Sequence, residues 1–556
     1  MKCQENFGRP LPRRNVPGRK WKDLTAGPVF GEPLREKGAN SLEKKERPVW
    51  VVTLMMVITF SGKVLGLLRD RLLTINYGSG MEANAFLTAS RIPRVFFDAV
   101  FASAISASLI PVFSELLRKK GKKEAVDFAG NFITVMGLLC ALLTALGMVF
   151  APQLTAFFAD GYDAQTAQLC AHLTRVMMPT VLFTGVAFSF VGILQSLGEF
   201  NVPAAISLVS NCVVIAYYYT LNGRFGIEGL AVTFLVAWLL QALVQVPSLV
   251  KRGYYFKPSV SLRSEGMKKV FALMLPVMVS TWVLPINQTI NSKFGSRLFD
   301  GAGVSALELA YNLFTVIAGV FVLSVTNYIF PRLSRENADG DRETLRRTIS
   351  GTMHTTLFIV LPMTGGLFAM ARPLVDFIYG GGKFDAFSVD ITARALTYMA
   401  LGMVGYAVQA VLCRVYFAEQ DGRAPLMAGG VSILVNIVLC ALLTERFDVA
   451  GVAVASAVSF AVNGLLLYLP LGKRGLNFAD KTFLLDMAKA LLATVLMCAA
   501  VYGARGFLEP RTGRLLALLL PVGVGVLVYA AAVTALGLPE TKLVLGQVKK
   551  RIKRGN

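Results

Sequence analysis

The feature that constrains this chain most is a succession of apolar runs, each close to the roughly 20 residues an α-helix needs to cross ~30 Å of hydrocarbon. Fourteen occur, at approximately 49–76, 83–113, 126–150, 167–194, 203–220, 229–250, 270–292, 304–330, 349–370, 388–417, 426–444, 449–470, 484–504 and 515–536. Only 16% of the residues are charged and 54% are hydrophobic, which excludes a soluble multidomain protein. The predicted fold class is an all-α polytopic membrane protein of about 14 transmembrane helices. Two further apolar pieces, near 153–158 and 373–379, are too short to span and are expected at the surface.

A formal net charge of +22 invites a nucleic-acid partner, but the placement of the charge argues against one. Lys and Arg sit in short clusters between the apolar runs, as in cytoplasmic loops. With the N-terminus inside, the inner segments 114–125, 251–269, 332–347 and 471–481 carry five, six, five and three of them, and the tail 537–556 carries six. The outer segments 77–82 and 151–166 carry none, whereas 505–514, with three, breaks the pattern. Both termini are thus expected in the cytoplasm. Residues 1–48 hold twelve Lys or Arg and six acids with no apolar signal-peptide core, and are expected to be a disordered basic tail able to lie on anionic membrane lipid. Seven scattered Cys and two His lack metal-ligand spacing, so no metal or other cofactor is expected.

An internal repeat organises the spans. Ile110-Pro111-Val112-Phe113-Ser114 matches Phe330-Pro331-Arg332-Leu333-Ser334, and Gly226-Ile227-Glu228-Gly229-Leu230 matches Asp448-Val449-Ala450-Gly451-Val452, at an offset of 220–222 residues. Six helices per copy keep both copies in one orientation. That predicts two six-helix lobes, 49–250 and 270–470, related by an axis along the membrane normal, with a binding site between them. Helices 484–536 fall outside the repeat.

The first two spans carry more charge than lipid tolerates cheaply, since one charge at a helix centre costs ~2.5–3.5 kcal/mol on insertion scales. Between Ser61 and Asp98 lie Lys63, Arg69, Asp70, Arg71, Arg91, Arg94 and Asp98. Gly62, Gly66 and Arg69 share one helix face; Lys63 and Asp70 share the next; Arg91, Arg94 and Asp98 form a stripe on the second span. Each residue alone could snorkel to an interface. As a cluster they point to a water-filled cationic cavity for an anionic cargo, and Arg suits a diphosphate through its paired hydrogen bonds. On the eighth span Glu308 and Asn312 stand one turn apart, Glu308 being either a counter-ion to that cluster or an interface residue. Asn287, Gln288 and Asn291 place amides on the seventh span, where Pro276 and Pro285 are expected to break the helix. Asn287, Asn291 and Asn436 are weaker candidates for coupling an ion. Arg175, Arg394 and Lys489 lie near span ends and are expected to snorkel.

Enzyme signatures are missing: no Walker A, G-x-S-x-G or H-E-x-x-H pattern occurs. Asp339-Gly340-Asp341 is the one acidic pair a membrane glycosyltransferase could use on a sugar nucleotide, and a solvated turn is the alternative reading.

S-G-K-V-L-G-L-L-R-D from Ser61, Q-S-L-G-E-F-N-V-P-A from Gln195, P-R-L-S-R from Pro331 and R-V-Y-F-A-E-Q-D-G-R-A-P from Arg414 resemble the lipid II flippases of the MurJ/MviN family, within the multidrug/oligosaccharidyl-lipid/polysaccharide exporter superfamily. The similarity covers about 48 to 536. It implies a transporter rather than an enzyme, in the bacterial cytoplasmic membrane, working by alternating access around a central cationic cavity. Its cargo would be lipid II, the undecaprenyl-diphosphate-linked disaccharide-pentapeptide, with the tail in a groove formed with helices 484–536. The chain would act as a monomer, with cell-wall synthesis proteins as further partners. Carried over by motif, the site residues are Lys63, Arg69, Asp70, Asn84 and Arg91, to which Arg94, Glu308 and Asn312 are added from their places on the second and eighth spans. The chain departs from the family where Phe97 and Asn312 replace cavity arginines, Tyr311 an Asp, Asn84 an acid, and Phe101-Ala102-Ser103-Ala104 an A-E-G-A motif. Arg94 and Glu308, one turn away, are expected to compensate. Asn291 and Cys440 stand where some members bind sodium with acids, which argues against sodium coupling. Another polyprenyl-linked cargo, or a drug/ion antiporter of the same superfamily, is the alternative.

Overall fold

A computed structural model describes residues 48–98, 108–508 and 513–538. The basic tails and the Phe101–Ala104 segment lie outside them, save for Pro48, Gly537 and Leu538. The first copy of the repeat forms α1 (Pro48–Tyr77), α2 (Met81–Phe97), α3 (Ile110–Lys119), α4 (Lys122–Val149), α5 (Ala151–Phe158), α6 (Ala164–Met177), α7 (Thr180–Ser196), α8 (Asn201–Thr220), α9 (Asn222–Leu243) and α10 (Val246–Lys251). The second forms α11 (Glu265–Thr281), α12 (Val283–Gly295), α13 (Ala302–Phe314), α14 (Val320–Ala338), α15 (Arg342–Tyr379), α16 (Ala386–Ala400), α17 (Met403–Ala418) and α18 (Arg423–Tyr468). Helices α19 (Lys481–Leu508) and α20 (Arg514–Ala535) follow. Among the described residues the one β pairing is an isolated bridge between Gly381 and Phe384.

Nine of these helical stretches are long and apolar enough to cross a membrane, and a tenth arises if bent α16 and α17 count as one span. Their outward faces are apolar too: Leu138, Leu142 and Leu146 of α4, or Leu491 and Val495 of α19, stand exposed at one-turn spacing. Water would penalise such stripes, whereas lipid does not. The seventh candidate span breaks at Trp282–Val283, with Pro285 in the first turn of α12, where its missing N–H costs nothing. The short piece at 153–158 is a separate helix, as its length required. The piece at 373–379 is not: it continues α15 without a break to Tyr379, because Pro373 is carried inside the helix.

The repeat recurs in backbone detail. Gly226 (φ 54°, ψ −146°) and Asp448 (φ 48°, ψ −133°) kink α9 and α18 at equivalent positions. Gly253 and Gly475 both take φ near 70°, and the amides of Tyr254 and Leu476 each close 3.0 Å bonds to the carbonyls of Leu249 and Leu471. Arg252 pairs with Glu199 and, at the same offset, Arg474 pairs with Asp421 at 2.5 Å. Hydrogen bonding from Arg474 holds the Asp421 carboxyl below its ordinary range, against the upward push of burial. The clamp therefore stabilises above the ordinary carboxylate range and is lost as pH falls through the lowered value.

Asp448 adopts a conformation that suits glycine, and Arg394 holds it there at 3.2 Å. Arg394 thus pairs rather than snorkels. Asp448→Gly is expected to melt in detergent at or above the parent temperature. Asp448→Ala keeps the strain, loses the ion pair and is expected to be less stable by about 1 kcal/mol.

Candidate functional site between the halves

The close approach of α1 to α8 begins with Gly62, where an added Cβ would lie 2.6 Å from Ser207 Oγ. One turn on, Asn211 Nδ2 donates to the Gly62 carbonyl at 3.1 Å while its Oδ1 accepts from Arg69 at 3.3 Å. Arg69 Nε and Nη2 also reach Asp70 Oδ1 at 3.0 and 2.7 Å, and its guanidinium lies 5.6 Å from the centre of the Phe234 ring. Arg69 therefore turns toward α8 and α9 of its own half, as a face shared with Gly62 and Gly66 requires. Asp70 turns the other way. Its Oδ2 accepts from Asn312 of α13 at 3.3 Å. Lys63, two turns before Asp70 on the same face, is exposed and makes no ion pair with the described residues.

Helix α2 crosses to the second half through buried contacts. Arg91 forms an ion pair with Glu308 and donates to the Gln288 carbonyl of α12 at 3.0 Å. Asn84, fully buried, accepts from the Ser305 amide at 3.2 Å and donates to the Ser79 carbonyl at 2.8 Å. The Tyr162 hydroxyl donates to the Asn84 carbonyl at 3.0 Å and lies 2.7 Å from Thr88 Oγ1. Nothing in the sequence pattern singled out Tyr162 or Ser305, and Gln288, noted for its side-chain amide, meets Arg91 through its backbone carbonyl instead. Arg94 continues the Arg91 stripe but is 67% exposed, and its one ion pair among the described residues is with Asp98 at 3.5 Å. Glu308 and Asn312 thus meet Arg91 and Asp70 in turn, while Lys63 and Arg94 make no side-chain hydrogen bond or ion pair with the second half among the described residues.

The amides of α12 belong to a second, uncharged site. Asn291 donates to Ser456 Oγ at 2.9 Å and accepts from Asn436 at 3.3 Å; Cys440 Sγ lies 3.7 Å from Asn436 Oδ1. Beside them Asn287, Gln288, Tyr311 and Phe460 line a cavity of about 10 Å³, enough for about one water. Asn287 Oδ1 is buried there without a hydrogen-bond partner among the described residues. No carboxylate lines this cavity, and the described residues contain no group of three or more His, Cys, Asp or Glu fit to hold a metal.

A larger space of about 710 Å³ lies where α15, α19 and α20 meet. Its walls are apolar, with Pro362, Met363 and Gly366 from α15, Met497 and Val501 from α19, and Val522 and Val526 from α20. Tyr529 closes one side by donating to the Phe358 carbonyl at 2.8 Å. The Asp339–Asp341 pair has a structural use: Asp341 accepts from the Thr344 amide at 3.0 Å and from its hydroxyl at 2.6 Å, capping α15.

A family model described as "Lipid II flippase MurJ" matches residues 75–522. The chain belongs to that family. Over 464 residues it is 29% identical to the Haemophilus influenzae protein described as "Probable lipid II flippase MurJ", covering 80% of this chain and 90% of that one. The "Lipid II flippase MurJ" of Burkholderia cenocepacia is 29% identical over 430 residues, 75% of this chain and 82% of its own. Among solved structures, "Lipid II flippase MurJ, inward closed conformation" aligns with a TM-score of 0.73 at 23% identity, over 87% of this chain and 98% of that one. An inward-facing multidrug resistance MATE family transporter of the MOP superfamily aligns with 0.65 at 14%, over 76% and 98%. As a MurJ-family member the chain is a transporter and not an enzyme, and a multi-pass protein of the bacterial inner membrane. Two of its departures from the MurJ pattern have local partners. Asn312 still bonds Asp70, and Phe97 packs against Phe188 with ring centres 5.0 Å apart.

Proposed function

We propose that this protein flips lipid II from the inner to the outer leaflet by alternating access between two six-helix lobes. Fourteen spans are assigned, with α18 counted as two around Asp448, and α19 and α20 lying outside the lobes. The basic loops face the cytoplasm, as do both termini. The diphosphate is held in the cleft by Lys63 and Arg94. Arg69 and Arg91 supply positive potential from positions already paired with Asp70 and Glu308, and Asn84 and Asn312 fix the helices that carry them. The undecaprenyl tail lies in the apolar space bounded by α15, α19 and α20. The observation that carries this reading is the pair of exposed, weakly compensated cations on the faces that lead up to the buried inter-half contacts. An acidic cleft, as a cation antiporter needs, is not what these residues make.

Sodium coupling is not assigned, since Asn291, Asn436 and Ser456 form a neutral network and no carboxylate lines the adjoining cavity where Asn287 Oδ1 stands unpartnered among the described residues. A second reading, another polyprenyl-linked cargo, is favoured by one observation: Asn312 and Phe97 leave the cleft with fewer cations than the family pattern carries. Complementation separates the two. Cells depleted of their own flippase and given this chain are expected to survive and to display lipid II on the outer leaflet at parental levels. Good membrane expression without rescue would point to the other cargo.

A further inference from the structure

At the end of the molecule that holds the α1–α2 turn, the two halves grip each other reciprocally. Arg71 Nη1 of α1 donates to the carbonyls of Phe377 and Ile378 at 2.5 and 2.8 Å, and Thr74 donates to Tyr379 O at 3.1 Å. These are the last three carbonyls of α15, which have no partner inside their own helix and lie at its negative end. Beyond them Lys383 N donates to Ile75 O at 2.9 Å, and a Cβ on Gly382 would lie 2.4 Å from that same oxygen. Ser79 and Ser388 hydroxyls meet at 2.6 Å.

The opposite grip stands at repeat-equivalent positions. Lys293, the counterpart of Arg71, lies 3.3 Å from Asp160, the residue two past the end of α5, with its ammonium 5.5 Å from the centre of the Phe157 ring. Arg297, the counterpart of Ile75, holds both oxygens of Asp160 at 2.9 and 2.6 Å. Gly161, the counterpart of Lys383, donates its amide to Ser296 Oγ at 3.0 Å, and a Cβ there would lie 2.5 Å from Arg297 N. Both loops therefore approach the partner helix so closely that residues without a side chain are required at the contact.

We infer that these are two latches, related by the repeat, which together keep this mouth shut and set the resting state of the transporter. Each places a cation near the end of one half's entry helix against the loop of the other half. The Arg71 latch works on a helix C-terminus and the Asp160 latch on a carboxylate. Only the second is a pair of opposite full charges at a solvent-facing end, so added salt weakens it more. The inference rests on the alternating-access reading, but its test needs no cargo.

The test uses the full chain in lipid nanodiscs, its seven native cysteines replaced, with spin labels at Gln165→Cys and Ala386→Cys, exposed sites at the start of α6 and α16. The parent is expected to show mainly a short separation by pulsed electron resonance. Arg71→Gln and Asp160→Asn are each expected to lower the short component relative to longer separations about threefold, and the two together about tenfold. Arg71→Lys and Asp160→Glu, which keep the charge, are expected to retain the parent distribution, and Asp160→Asn to remove most of its salt dependence. A distribution unchanged in the double variant overturns the latches, as does equal disruption by the charge-conserving pair. Longer separations in the double variant, from a parent that fails to expose lipid II in cells, leave the latches standing and remove the cargo assignment.

Discussion

Cells that depend on this protein are expected to die when Lys63 and Arg94 are both replaced by alanine, with externally exposed lipid II lowered at least tenfold and membrane levels of the protein unchanged. The two residues are chosen because the fold does not use them. Lys63 has no ion-pair partner among the described residues, and Arg94 is 67% exposed with its one acid at 3.5 Å. Losing them removes charge-assisted hydrogen bonds to a bound phosphate, worth ~1.5–3 kcal/mol each, and 1.4 kcal/mol is already a factor of ten. Arg91→Ala is expected to fail differently. Stripping the partner from buried Glu308 costs about 3–5 kcal/mol, so the protein itself is lost from the membrane. Arg91→Gln with Glu308→Gln removes both charges at once and is expected to recover most of the protein. Arg94→Lys keeps the charge without the planar fork and is expected to transport at an intermediate rate. Full lipid II exposure in the Lys63/Arg94 double variant would remove the diphosphate from this part of the cleft.

The helical spans and the repeat were legible because both rest on patterns that a single sequence carries: an apolar run of membrane length, and a recurrence of glycine, proline and charge. The kink shared by Gly226 and Asp448 was visible as a matched motif before it was visible as a matched pair of dihedrals. Which way each charge points was not. Arg69 and Asp70 are neighbours in sequence, yet the i, i+4, i+7 alignment with Gly62 and Gly66 sends Arg69 to α8 while Asp70 crosses to α13. Helical spacing does place them on different faces, but not which face meets the other half. Asp160, Lys293 and Arg297 were overlooked for a different reason. Asp160 and Arg297 sit in short turns and Lys293 in the last turn of α12, where a charge reads as solvated, and only the approach of the end of α12 to the loop after α5 gives them partners. Continuation of α15 through Pro373 to Tyr379 was missed because the piece 373–379 was read apart from the span before it, as too short to cross; at its end the carbonyls of Ile378 and Tyr379 are taken up by Arg71 and Thr74.

Gly366→Trp is expected to block transport as fully as loss of the cleft cations while leaving the protein as stable as the parent or more so. Gly366 lines the apolar space between α15, α19 and α20, and a Cβ there would meet nothing within 4 Å. Replacing a mid-helix glycine by tryptophan gains a few tenths of a kcal/mol of helix propensity, and the ring entering the space gains packing contacts with its walls. The fold therefore gains from the change, and only an occupant of the space loses. Gly365, its neighbour, is the control: a Cβ there would press on Thr494, Cys498 and Met497 at 2.5–3.2 Å, so Gly365→Trp is expected to separate α19 from α15 and lower the melting temperature. If the space holds the lipid tail, Gly366→Trp loses lipid II exposure at unchanged or raised thermal stability, and an elongated alkyl chain added to the purified protein raises the melting temperature of the parent but not of the variant. Normal exposure in Gly366→Trp would show that the tail travels elsewhere, and since Lys63 and Arg94 lie on other helices, that result would leave the cationic half of the proposal untouched.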